Sequence, residues 1–249
     1  MAVLANTLDL FGRVLKLVRG QISPIVPAGQ PIKLLSLGYI DFVVSRDDVA
    51  RVFGPEVAAV VPVRQNSESI AAWHNGGSSV IDGDALFRAL GFEPHYIDIA
   101  VIRGGEIVQD LNEPLAPDLV GAFEVVIDSG TLEHCFNIGQ AVANVAAALR
   151  VGGVVHHGNP MVMINHGFYN FSPAFYHDFY RANGFQMLEM YMVEQPPGEV
   201  RVTRVDGVKR LKFPDPGEKI IQVIARKVED KPRVWPTQTK YLRNPNLSV

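Results

Sequence analysis

A single cysteine, Cys135, stands among 249 residues and has no second thiol to pair with, so no internal disulfide framework holds this chain. Charge of one sign is also lacking: 23 lysines and arginines face 26 aspartates and glutamates, a net charge of -3, with no long basic run. That balance excludes the positive field on which nucleic-acid binding depends, and nucleic acid is not expected as a partner. No apolar run reaches the roughly 18 residues that a bilayer span needs. The first residues lack the basic region, apolar block and small-residue cleavage site of a secretory signal. The expectation is a cytoplasmic protein without a membrane partner. No histidines stand in H-x-x-x-H or H-E-x-x-H spacing, so no metal is expected. No G-x-G-x-x-G follows the first apolar strand, which argues against a nicotinamide-dependent oxidoreductase. Internal repeats and low-complexity segments are absent.

What is present is a globular composition, 47% hydrophobic and 20% charged, which allows a full core. The length fits one domain over 1–249 with embellishments. Residues 3 to 19 carry Leu4, Leu8, Phe11, Val14, Leu15 and Val18 on one stripe at helical spacing, closed at Gly20. This reads as a helix docked on the core within an N-terminal lead-in, 1–31, although so apolar a face would also support a homodimer. Ile32 to Gly38 reads as a buried first strand. A segment from 44 to 94 then reads as an insertion, with a charged helix from Asp47 to Phe53, a polar stretch from Asn66 to Ser79 and a helix from Ile81 to Leu90.

Further strands are expected at Pro94 to Ala100, Glu106 to Gln109, Phe123 to Asp128 and Gly153 to His157. Ser172-Pro173 starts a helix that Asn183-Gly184 stops. Phe185 to Val193 and Lys219 to Val228 read as late strands flanking a second insertion, 194–218, and the tail 231–249 reads as extended. Alternating strands and helices imply an α/β fold, a mostly parallel sheet covered on both faces with an antiparallel last strand.

In such sheets ligands sit beyond the carboxyl ends of the strands, which places the site near Asp128, Ser129 and the segment up to His134. At the end of the first strand Gly38 allows a close backbone approach, followed by Tyr39 and Asp41. Asp98, ending the second strand, can accept both hydroxyls of a ribose. His134, His156, His157 and His166 supply candidate bases near neutral pH.

The order Phe123, Asp128, Leu132, Glu133, His134, Leu149, Gly152, Gly153 resembles the fourth strand, helix and fifth strand of the class I S-adenosylmethionine-dependent methyltransferases. The run His166-Gly-Phe-Tyr-Asn-Phe-Ser-Pro173 resembles a signature of a bacterial subset with surface-glycan or specialised-metabolite functions. The resemblance covers about 32–228 and implies a Rossmann-like three-layer sandwich with a seven-stranded sheet. It further implies S-adenosylmethionine (SAM) as cofactor, with Gly38, Tyr39, Asp41, Asp98, Asp110, Leu111, Asn112, Asp128 and Ser129 around it. Asp41 would meet the ammonium group, and Asp110 with Leu111 and Asn112 would flank the adenine. Ser36 stands where the family usually has an acid, and Ile40 where it has a second glycine.

By the same resemblance His166 is the candidate general base, Tyr169 positions the acceptor and His134 touches acceptor or cofactor. The acceptor is expected to be a small polar molecule, methylated on an oxygen of a sugar or specialised metabolite. The alternatives are N-methylation of a small amine, or a non-catalytic partner or scaffold that keeps the fold. Trp73, His74, Arg201, Arg204, Lys209, Arg210 and Lys212 lie where acceptor recognition is expected, and a charged hairpin facing water explains the basic ones more simply.

Overall fold

The computed structural model describes residues 2–64, 80–196, 198–213 and 217–243, so Trp73, His74 and the whole polar stretch 66–79 lie outside the described residues. The chain opens with β1 (Ala2–Leu4), α1 (Leu8–Ile22), β2 (Ile32–Leu37), β3 (Asp41–Val43), α2 (Arg46–Phe53), α3 (Pro55–Val60), β4 (Val80–Ile81) and α4 (Gly83–Ala89). It continues through β5 (Phe92–Asp98), β6 (Ile107–Val108), β7 (Phe123–Asp128), α5 (Ile138–Ala148), β8 (Leu149–Val162) and α6 (Pro173–Ala182). The last elements are β9 (Phe185–Glu194), β10 (Arg201–Arg204), β11 (Lys219–Lys227) and α7 (Thr239–Leu242).

Eight strands form the main sheet in the order β10-β9-β11-β8-β7-β2-β5-β6. Strands β6, β5, β2, β7 and β8 are parallel neighbours, whereas β11 runs antiparallel between β8 and β9. This is the expected α/β sandwich, with one strand more than the expected seven because β10 pairs antiparallel on the outer edge of β9. A small second sheet, β1-β3-β4, sits beside it.

Alternation along the strands sends side chains to two cores. Leu34, Val125, Ile127 and Val154 pack with α1, α2, α3 and α4 on one face, while Leu35, Val126 and Val155 pack with α5 and α6 on the other. Several boundaries differ from the sequence reading: the strand expected at Pro94 to Ala100 runs Phe92–Asp98, the tail carries α7, and three more differ for a plain tertiary reason. The first helix begins at Leu8 because residues 2–4 pair with β3, and it passes Gly20 because Ile22 is fully buried. Its stripe of Leu8, Phe11, Val14, Leu15 and Val18 is buried in the chain's own core, so that face is not available to a second copy. The fifth strand extends over 14 residues because β11 pairs with it as far as Val162. His156 and His157 are therefore buried strand residues, not loop bases. Among the described residues no helix is long and apolar enough to cross a membrane.

His156 points toward α1, with its ring edge-on to Phe11 and its Nε2 at 2.5 Å from Oε1 of Gln222 on β11. Burial pushes its pKa down to about 4. An unfolded chain takes up this proton near pH 6.5 and the folded one refuses it until about pH 4, so stability is full above 6.5 and falls as pH drops through that window. The loss amounts to about 3 kcal/mol at 1.36 kcal/mol per unit. Urea denaturation of His156→Gln should show a correspondingly flatter pH dependence between 7 and 4; parallel curves for variant and wild type would refute the assignment.

Candidate active site

The sheet reverses its winding between β2 and β7: the chain leaves β2 for β5 on one side and later returns to β7 on the other. The crevice beyond such a switch point is where open α/β sheets bind ligands. Gly38 turns the chain there with φ +72°, and a side-chain carbon at that position would lie 3.7 Å from Oδ2 of Asp98 and 3.6 Å from Oγ1 of Thr131. Thr131 in turn donates to the Leu37 carbonyl at 2.7 Å, tying the segment after β7 to the end of β2. The Gly38 backbone, the half-buried Asp98 carboxylate and Thr131 thus meet at one point, with buried Ser129 at the start of the same segment.

Beneath the crevice lies a closed polar network. The buried Asp128 carboxylate accepts from the backbone N–H groups of Thr131 (2.9 Å) and Leu132 (3.3 Å), from Nδ1 of His157 (2.7 Å) and from Nδ2 of Asn159 (2.9 Å). Burial raises its pKa, but the hydrogen bonds, led by that from His157, outweigh this and hold it below the usual carboxylate range. Nε2 of His157 continues to the Tyr180 hydroxyl at 2.6 Å, and the Tyr176 hydroxyl donates to Oδ1 of Asn159 at 2.5 Å. Both tyrosines come from α6. Asn159 also donates to Oε2 of Glu133 at 3.0 Å, so one amide separates two buried carboxyl groups.

Glu133 and His134 sit on a single 3-10 turn, Leu132–His134, and the loop 163–168 folds back over it. Asn165 takes a left-handed φ of 61°, and the Phe168 N–H donates to the Glu133 carbonyl at 2.7 Å. Gly167 permits this contact, since a Cβ there would come within 2.7 Å of the same carbonyl oxygen. Nε2 of His166 consequently stands 3.5 Å from Oε1 of Glu133, and the rings of His134 and His166 are 5.4 Å apart. The Glu133 side chain is fully buried, and Oε1 has no hydrogen-bond partner. Burial, followed by the charge on Asp128, pushes its pKa up to about 7. Burial and the neighbouring His166 lower that of His134. Phe136 and Phe168, both largely exposed, stand edge-on at 5.4 Å beside these imidazoles.

Several of the candidate site residues are held by other partners within the chain. Asp41 lies on β3 in a bidentate ion pair with Arg103 (2.8 and 3.1 Å), which engages its carboxylate. Tyr39 stacks on Tyr96 with ring centroids 3.7 Å apart. Asp128 is sealed within its network and cannot reach a ligand. Leu111 is core, and Asp110 caps a turn by accepting from both N–H groups of Asn112, which itself holds Asn137 at the start of α5. The Tyr169 hydroxyl donates to the Phe136 carbonyl at 2.7 Å, so this side chain anchors the loop. Arg201 and Arg204 lie on exposed β10, as a solvated hairpin requires, while Lys209 and Arg210 line a separate cavity of about 580 Å³ with Ser172 and Lys240.

Three important residues were missed in the sequence: Thr131, Asn159 and Phe136. Asn159 had a usable signal, because it lies two positions beyond His157 and so on the same face of one strand.

No family model matches the chain, and no curated protein matches it. Among solved structures, similarity is found to the Burkholderia thailandensis 1,6-didemethyltoxoflavin-N1-methyltransferase with bound 1,6-didemethyltoxoflavin and S-adenosylhomocysteine, at 14% identity over 87% of this chain and 77% of that one, with a TM-score of 0.45. The CMeT domain of the citrinin polyketide synthase matches at 14% identity over 88% of this chain and 53% of that one, with a TM-score of 0.45. The 16S rRNA (adenine(1408)-N(1))-methyltransferase of Catenulisporales acidiphilia matches at 10% identity over 90% and 94%, with a TM-score of 0.40. At these identities and scores the likeness carries no argument about activity.

Proposed function

We propose that this protein is a SAM-dependent methyltransferase acting on an oxygen of a small polar acceptor, a sugar or specialised metabolite. The observation that carries the reading is the meeting of the Gly38 turn, the Asp98 carboxylate and Thr131 at the switch point of the sheet, beside the His166–Glu133 pair. The missing Cβ at Gly38 leaves room for a ligand against the backbone, and Asp98 accepts hydrogen bonds from the two ribose hydroxyls. Ser129 and the backbone at Gly130 would line the methionine side, and Asp110, exposed beyond β6, holds Asn112 through Oδ1 alone and offers Oδ2 to the adenine amine.

SAM, when bound, supplies a methyl group on a positively charged sulfur. The chain's own residues position the acceptor and take its proton, since methyl transfer is an in-line displacement that needs little else. Phe136 and Phe168 offer an aromatic face to the acceptor. His166 takes the acceptor proton, and the buried Glu133 carboxylate stabilises the imidazolium that results, a base oriented by a third group.

One observation favours a second reading, a non-catalytic partner that retains the fold. Asp41 is engaged by Arg103 and Ser36 donates to the Gly38 carbonyl, so neither places an unpaired acid where an ammonium group would lie. Titration calorimetry with SAM and S-adenosylhomocysteine decides between the two. Binding in the micromolar range should weaken at least ~10-fold in Asp98→Ala, the loss of a pair of ribose hydrogen bonds. Absence of binding to both ligands by the folded wild-type protein would replace the enzyme reading with the scaffold.

A further inference from the structure

The fold gathers Glu133, His134 and His166 so that one ligand atom from each lies within 4.8 Å of the others. No spacing in the sequence foretells this, because His166 arrives from a loop 32 positions after His134. We propose that these three side chains bind one divalent transition-metal ion of the zinc or cobalt class, with its remaining coordination positions open toward Phe136 and Phe168.

The buried carboxylate is the first support. Oε2 of Glu133 is held by Asn159, while Oε1, equally buried, has no hydrogen-bond partner and faces His166. A buried carboxylate oxygen left unpaired is unfavourable, and a metal ion bound there removes that penalty. Outer hydrogen bonds that orient a ligating carboxylate are a regular part of metal sites, and Asn159, fixed by Tyr176 and Asp128, provides one here.

The imidazoles are the second support. His134 and His166 are exposed, stand side by side with ring centroids 5.4 Å apart and share no hydrogen bond. Neutral imidazole is the form that binds metal. Zinc ligands lie about 2.0–2.2 Å from the ion, which puts ligand atoms near 3.3 Å from one another in a tetrahedral site. The two surface rings close the difference by turning about their own side-chain bonds. The donor set of two imidazoles and a carboxylate suits zinc, cobalt, nickel and iron better than magnesium or calcium. Three protein ligands leave a position for water or an acceptor oxygen, whose proton the ion would acidify. His166 then serves as ligand in the loaded protein and as base only in the metal-free one.

The test is a titration of the chelator-stripped, full-length protein with Co2+, read by visible absorption and calorimetry, and repeated with Zn2+. One equivalent should bind saturably, and His134→Ala and His166→Ala should each weaken binding ~10-fold or more. His95→Ala, whose ring pairs with Glu93 on β5, should bind as wild type. Both site histidines are exposed, so thermal unfolding without metal should be unchanged in their variants. Lack of saturable binding of either ion, or equal affinity in wild type and both site variants, overturns the proposal. SAM is absent from this titration, so its failure leaves the methyl-transfer reading untouched, and the converse also holds.

Discussion

Asp128→Ala is expected to cost about 3–5 kcal/mol of stability, the range for removing one member of a buried, charged hydrogen-bond network. The change strands four donors at once: the N–H groups of Thr131 and Leu132, Nδ1 of His157 and one N–H of Asn159. The donors of Leu132, His157 and Asn159 have no solvent to turn to, because these residues are fully buried, and only the half-buried Thr131 lies nearer the surface. For a chain of this size the corresponding fall in melting temperature is roughly 6–20 °C. Asp98→Ala, at a half-buried strand end, should shift stability by no more than about 0.5 kcal/mol. Urea denaturation of the two variants side by side thus separates an acid that holds the floor of the crevice from one that faces a ligand. A stability loss below about 1 kcal/mol in Asp128→Ala would show that the network is not what holds β7, β8 and α6 together.

His166→Ala should lower turnover by about 10²–10⁴, the contribution typical of a positioned proton acceptor, while SAM affinity changes less than about two-fold. The separation follows from geometry. His166 faces Glu133 and the aromatic mouth, whereas Asp98 and Gly38 lie at the end of the neighbouring strands. Its side chain is 41% exposed, so its removal leaves the fold intact and a loss of rate is not a loss of folded protein. The measurement is single-turnover methyl transfer at saturating SAM, once screening of sugars and nucleotide-sugars has found an acceptor. Wild-type turnover in the variant would remove His166 from the chemistry. Repeating the wild-type measurement after chelation tells whether the imidazole takes the acceptor's proton or a bound ion acidifies the acceptor so that its proton leaves to solvent.

The candidate site shows how differently two kinds of information are written into this chain. Local signals carried the helix Pro173–Ala182 to the residue, since Ser172 caps it, Pro173 fits its first position and Asn183 receives its end. Strand β7 was equally plain as an apolar run ending in an acid. The same logic failed for Asp128, which had the strand-end position of a ligand contact but is sealed by residues 29 and 31 positions away. It failed again for Asp41, whose partner Arg103 is 62 positions distant. A strand-end acid and a network acid look alike until the neighbouring strand and helix are in place.

Composition and periodicity by themselves determined the class of this protein: a charge-balanced α/β chain with two buried faces and an ordered series of strands. These properties depend on side-chain spacing of 2 or 3.6 residues and on the chemistry of single positions. Tertiary structure alone decided which polar residues are floor and which are surface. It carried β8 on past Asn159, leaned Tyr176 and Tyr180 onto it from α6, and laid the loop at Gly167 over Glu133 so that His166 meets His134. Such contacts depend on the register between strands and on the close approach that a glycine permits, quantities that arise only when distant parts of the chain pack together.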